Sequence, residues 1–241
     1  AYAYGHQYCD FSDGTLVCLT PGESISMKEN NKEFPSKGWI LAFHPDLICG
    51  TPLGLNIHNY TFFSYCPEEA LHLSLREKQI ILEFLERIRQ ELERCIDRHS
   101  KKIISKYIEL LLDYCTRFYE RQFITRSEVN KKVFREFNHL LDNHFNVKVS
   151  LSTDVLSDEY CANLLHLSPA YFNDLLKYEI GKEFKEYIQF KRFEIAKGWL
   201  VNTDKTLGQI AQELGFSNSQ YFSRLFKKIT GCSPNEFRMP N

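Results

Sequence analysis

Residues 206–238 read TLGQIAQELGFSNSQYFSRLFKKITGCSPNEFR. Thr206 and Gln209 have the spacing of a capping box, in which each side chain satisfies a backbone N–H of the other and a helix begins. Ile210, Ala211 and Leu214 follow on one apolar face. Gly215 falls where that helix must stop, because glycine tolerates the left-handed turn needed there. Ser217 is read as the N-cap of a second helix whose buried stripe is Phe222, Leu225, Phe226 and Ile229. Two short helices joined through a tight glycine turn make a helix-turn-helix. The outward positions of the second helix are Ser219, Gln220, Ser223, Arg224, Lys227 and Lys228. Hydrogen-bonding and cationic groups of this kind suit base edges and phosphates.

The pattern occurs twice. Tyr171-Phe172, Leu175, Lys177 and Gly181 return fifty residues later as Tyr221-Phe222, Leu225, Lys227 and Gly231. Ala162 and Leu165 return as Ala211 and Leu214, one residue out of step. Ser168-Pro169 is an N-cap followed by proline at the first helical position. The two outward-facing helices are therefore expected at about 168–180 and 217–229. Between them, Phe184 to Leu200 reads as one helix of roughly 26 Å. With the flanking half-widths added, that rod separates the two helices by about one B-DNA turn, ~34 Å.

The run Ile210-Ala211, Gly215-Phe216, Tyr221-Phe222, Phe226-Lys227-Lys228, Gly231, Ser233-Pro234 and Phe237-Arg238 resembles the signature of the AraC/XylS family of bacterial transcription regulators. The resemblance implies two recognition helices entering adjacent major grooves of operator DNA. It also implies a homodimer, a small-molecule effector, and RNA polymerase as a partner. The DNA-contact residues expected on this basis are Ala170, Asn173, Asp174 and Lys177 in the first unit. In the second they are Ser217, Ser219, Gln220, Ser223, Arg224, Lys227 and Lys228. Arg224 is the leading base contact, its bland alternative being a surface ion pair. Lys227 and Lys228 meet phosphates or are solvated. Arg192 and Lys197 on the joining helix are further phosphate candidates. Tyr171, Phe172, Tyr221 and Phe222 read as core anchors. The first unit departs from the pattern, since Asn173-Asp174 stands where the second has Ser223-Arg224. A carboxylate there repels phosphate, although it can accept from a cytosine amine.

Charge agrees with this division. The whole chain of 241 residues carries a net charge of -1. Residues 133–181 hold three Lys or Arg against seven Asp or Glu, whereas residues 182–241 hold ten against six. The basic excess lies where a phosphate backbone would be held.

The expected fold is α+β, mainly α, in four stretches. Residues 1–72 read as strands: Thr15 to Thr20, Gly38 to Phe43 and His58 to Tyr65 are β-prone. Phe43 to Leu47 resembles the end of a cupin-like effector domain, too short here to be whole, so the start of that domain is expected to be missing. Residues 73–121 form a helical dimerisation segment. Ser74 to Glu77 is a capping box, and Ile81, Leu85, Ile88, Leu92 and Cys95 follow at alternating spacings of four and three. This seam fits either a dimer or a helical hairpin covering the sheet. A second helix runs from about Lys101 to Glu120. Residues 122–132, polar and poor in apolar side chains, read as a linker, and 133–241 as the DNA-binding domain, with a loop over 146–154.

Eight scattered cysteines without a Cys-x-x-Cys pair fit a reduced, cytoplasmic protein. No run of about 18 apolar residues suggests a membrane partner. His44, His58 and His72 match no compact ligand spacing, so neither metal nor cofactor is expected. No phosphate loop, nucleophile elbow or catalytic carboxylate pair stands out, and the chain does not read as an enzyme. Two alternatives stay open. One is a ligand sensor whose DNA-binding unit has degenerated and which acts through protein contacts. The other is a cupin-type oxygenase, which would need metal.

Overall fold

The computed structural model describes residues 14–23, 38–147 and 156–238. The chain forms two compact units, Ala1–Ser127 and Glu128–Asn241.

The first unit is mainly helical. Its sheet consists of β1 (Gly14–Leu16) and β2 (Leu71–Leu73), antiparallel, with Thr15 opposite His72. The described chain between them holds short helices rather than the strands expected. It forms α1 (Pro45–Ile48), α2 (Pro52–Asn56) and 3-10 turns at Ile57–Asn59, Thr61–Ser64 and Pro67–Glu69. Residues 38–44 are irregular, with Ile40 exposed, and the run from His58 to Tyr65 is taken up mainly by two 3-10 turns. The reason is local. Pro45, Pro52 and Pro67 each take a first-turn position, where a missing N–H costs nothing and φ is already helical. Aromatic content alone had pointed to strands. The rings instead fill the unit's core: Phe62 stacks on Tyr119 at 5.4 Å and Tyr65 meets Tyr119 edge-on at 5.1 Å.

α3 (Leu75–Leu92) starts at the expected capping box, with Ser74 Oγ accepting from the Glu77 N–H at 3.3 Å and Glu77 Oε2 accepting from the Ser74 N–H at 2.8 Å. It packs on α4 (Ser100–Thr125), with Phe84 against Tyr114 at 5.4 Å. The expected seam divides. Ile81 and Ile88 are buried within the unit and Leu85 is half-buried. Leu92 is 58% exposed, and Cys95 is exposed beyond the end of α3. The polar start of the expected linker is part of α4. Gln122 is buried, accepting from the His72 N–H at 2.8 Å and donating to the Ala70 carbonyl at 3.2 Å. Beside it the Arg121 guanidinium donates to both carboxylate oxygens of Glu77 and to the His72 carbonyl. Polar residues here satisfy the sheet's backbone rather than facing water.

The second unit holds α5 (Ser127–Val147), α6 (Asp158–Leu164), α7 (Pro169–Ile180), α8 (Phe184–Asn202), α9 (Leu207–Glu213), α10 (Ser219–Thr230) and α11 (Pro234–Arg238). α5 continues through residues 146 and 147, which were expected to begin a loop; residues 148–155 lie outside the described ones. One aromatic core runs through the unit. The N-terminal half of α8 meets α5 and α7, where Phe137 lies edge-on to Phe172 at 5.0 Å and Phe184 lies 6.0 Å from Phe137. Its C-terminal half meets α10, where Phe193 lies 6.2 Å from Phe222 and 6.1 Å from Phe226. The 19 residues of α8 span about 28 Å, and each end carries one helix-turn-helix.

Candidate nucleic-acid interface

The α6–α7 and α9–α10 pairs are built by the same hydrogen bonds. After α9 the Gly215 N–H reaches the Gln212 carbonyl and the Phe216 N–H reaches Ala211. After α6 the His166 N–H reaches Asn163 and the Leu167 N–H reaches Ala162. Each turn needs a left-handed residue, and Gly215 supplies it at φ 74°. In the first helix-turn-helix His166 occupies the equivalent place at φ 57°, the only non-glycine with positive φ among the described residues. The one-residue offset of the sequence repeat therefore falls after the two turns, where Ser217 is the extra residue ahead of the second cap.

α7 and α10 are then capped alike. Ser168 Oγ accepts from the Tyr171 N–H at 3.2 Å, and Asn218 Oδ1 accepts from the Tyr221 N–H at 2.7 Å. Asn218 is thus the N-cap, not Ser217, which is exposed ahead of the helix. The fifty-residue repeat counted from Ser168 leads to the same position. Gly181 and Gly231 close the two helices at φ 64° and 85°.

α10 presents two opposite faces. Phe222 and Phe226 are fully buried. At 100° per residue, Gln220, Tyr221, Arg224, Lys227 and Lys228 lie within about 60° of Arg224, on the side away from those rings. All five are exposed. Ser219 and Ser223 flank this stripe, half-buried, with the Ser223 hydroxyl donating to the Ser219 carbonyl at 2.8 Å. Two expectations fail here. Tyr221 is 39% exposed, with the Arg224 guanidinium 5.6 Å from its ring centre, so it belongs to the outward face, whereas its counterpart Tyr171 is buried. Ile229, in the last turn of α10, is 51% exposed and is not part of the buried stripe. The repeat made Tyr221 look like a second core anchor; its place one turn before Arg224 was the signal for the outward face.

The matching stripe on α7 differs in chemistry. Ala170 and Asp174 are half-buried there, and Lys177 and Tyr178 are exposed. Asn173 is tied inward: its amide donates to Asp158 Oδ2 at 2.9 Å and to the Pro169 carbonyl at 3.0 Å. α7 carries one cation and two carboxylates, whereas α10 carries three cations and no carboxylate. A phosphate backbone is attracted by the second helix and not by the first.

The cations of α8 are largely committed inside the unit. Lys197 pairs with Glu194 at 2.8 Å, and Lys191 lies 3.9 Å from Asp142. Arg192 lies over the Phe216 ring at 5.9 Å, its Nε is buried without a hydrogen-bond partner, and burial holds its pKa below the usual guanidinium value. Arg238 donates to the Leu200 and Lys205 carbonyls, fastening α11 to the end of α8. By contrast, Arg224 and Lys228 form no ion pair among the described residues.

Residues 161–239 match the family described as a helix-turn-helix domain. The chain is 33% identical over 111 residues to the uncharacterized HTH-type transcriptional regulator YtdP of Bacillus subtilis (strain 168), covering 46% of this chain and 14% of YtdP. It is 32% identical over 101 residues to the arabinose operon regulatory protein of Salmonella typhimurium, covering 42% of this chain and 32% of that protein. Among solved structures, the C-terminal domain of AraT, a response regulator from Geobacillus stearothermophilus, is 31% identical. That match covers 44% of this chain and 83% of the domain, with a TM-score of 0.37. The chain spans less than half the length of the two regulators named. No described helix is long and apolar enough to cross a membrane.

Proposed function

We propose that this chain is a DNA-binding transcription regulator of the AraC/XylS type, with α10 its principal operator-reading helix and α7 a weaker second reader in the adjacent major groove; the helix-turn-helix match over residues 161–239 and the likeness to the arabinose operon regulatory protein support this reading. One observation carries this reading: three cations and Gln220 project from the side of α10 opposite two fully buried phenylalanines. Arg224 reads a base edge, with guanine the best match to a bidentate guanidinium. Gln220 supplies an amide one turn earlier, Tyr221 an aromatic edge, and Lys227 and Lys228 hold phosphates. α8 sets the spacing, since its two ends pack on the two helix-turn-helices through Phe184 and Phe193. On α7, Lys177 meets phosphate, while Asp174 either repels the backbone or accepts from a cytosine amine.

A second copy pairs along the C-terminal end of α3 in this reading, where Leu92 and Ile96 are 58% and 81% exposed. Ile81 and Ile88 serve the intrachain packing instead. The test is a gel shift of the intact chain on its own upstream DNA across a salt series. Binding is expected to weaken steeply with salt, and Lys228→Ala is expected to reduce the log–log slope by about 1. Absence of binding at low salt would favour a degenerate unit acting through protein contacts.

A further inference from the structure

A cavity of about 330 Å³ opens in the first unit, where the N-terminal end of α4 passes α2. It is lined by Pro52 and Leu53 and by four cationic residues, Arg98, Lys101, Lys102 and Lys106. Glu109 is the one carboxylate that lines it. That carboxylate lies 3.8 Å from Lys106, and Arg98 Nε donates to the His99 ring at 3.0 Å. Lys101 and Lys102 form no ion pair among the described residues.

The polar groups of the wall are already used. The Thr51 hydroxyl donates to the Ile48 carbonyl and the Ser105 hydroxyl to the Leu47 carbonyl. Asp97 accepts from the His99 and Ser100 amides at the start of α4. The next two amides, those of Lys101 and Lys102, take no acceptor among the described residues. The positive end of a 26-residue helix, two open N–H groups and four side-chain cations therefore meet at one apolar hollow. Gathering like charges this way is unfavourable without a counter-charge.

We propose that this cavity binds a small organic anion, a phosphomonoester or carboxylate on an apolar body, and that this ligand is the regulator's effector. The second clause rests on the regulator reading above; the first does not. The anionic head meets the Lys101 and Lys102 amides and ammonium groups, and the apolar body lies against Pro52. A DNA phosphate shares the headgroup chemistry but lacks that apolar body.

Isothermal titration of the intact chain, free of DNA, with phenyl phosphate, inorganic phosphate and phenol tests the site. Phenyl phosphate is expected to bind about tenfold tighter than inorganic phosphate, because the ring adds apolar burial, and phenol is expected not to bind. The double variant Lys101→Gln/Lys102→Gln is expected to weaken phenyl phosphate about tenfold or more. These side chains are exposed, so the fold should survive; Lys106→Gln, a smaller change, is expected to weaken binding in the same direction. Binding unchanged in both variants, or equal affinity for phenyl phosphate and inorganic phosphate, would overturn the proposal. So would a double variant that loses affinity for unrelated duplex DNA while the parent takes up no phenyl phosphate. Operator binding is read separately through α10, so failure of the anion site leaves the DNA reading intact.

Discussion

Exchanging the turn residues of the two helix-turn-helix units should move stability in opposite directions. His166 and Gly215 sit at φ 57° and 74° in turns closed by matching hydrogen bonds. A left-handed conformation costs a residue with a Cβ roughly 1–2 kcal/mol. Removing a glycine recovers about 0.4–1 kcal/mol by restricting the unfolded chain. Gly215→Ala should therefore destabilise the second unit by about 1 kcal/mol. His166→Gly should gain a few tenths to about 1 kcal/mol, the lower part being favoured because histidine tolerates this region better than most side chains. Trp199 lies on α8 with the Lys205 ammonium 4.1 Å from its ring, so its fluorescence reports the second unit. Urea melts in a Trp39→Phe background isolate that signal. With a slope of about 2 kcal/mol per molar urea, Gly215→Ala should lower the midpoint by about 0.5 M. A Gly215→Ala melt superimposed on the parent, or a His166→Gly variant less stable by 1 kcal/mol or more, would refute the reasoning.

Other consequences concern local groups. Burial first, then Arg126 and Arg121, hold the His72 pKa below its ordinary 6.5. A histidine that folds neutral contributes fully above its unfolded pKa of 6.5 and loses that contribution as pH falls from there to its lower folded value. The first unit should therefore weaken as pH falls below about 6.5, and His72→Gln should flatten the dependence in urea melts. Asn173→Ala should leave operator affinity within about twofold, because its amide already serves Asp158 and Pro169, yet it should lower the stability of the second unit by about 1 kcal/mol.

The two halves were unequally legible in sequence. In the second unit, core phenylalanines, caps and glycine stops recur at fixed spacing, so periodicity and turn chemistry agree on each helix. The slips there came from single positions. Ser217 and Asn218 are both good caps, and only the register from Ser168 separates them. Tyr221 repeats Tyr171 in sequence but faces outward, which depends on what stands opposite. In the first unit, aromatic β-formers outvoted the prolines, although Pro45, Pro52 and Pro67 mark helical starts. The α3 seam was visible as a pattern, but whether α4 or a second copy covers it is a tertiary matter. The cationic cavity left no motif at all, since Leu53 and Lys101 are far apart in the chain.

The central claim, that α10 dominates operator recognition while α7 contributes little charge, is tested most directly by fluorescence anisotropy. An upstream duplex is titrated with the parent, Arg224→Ala and Asp174→Ala proteins at one salt concentration. Arg224→Ala is expected to weaken binding by about 1–3 kcal/mol, roughly 5- to 150-fold, and Asp174→Ala to leave it unchanged or tighter. Equal losses in the two variants would contradict the account.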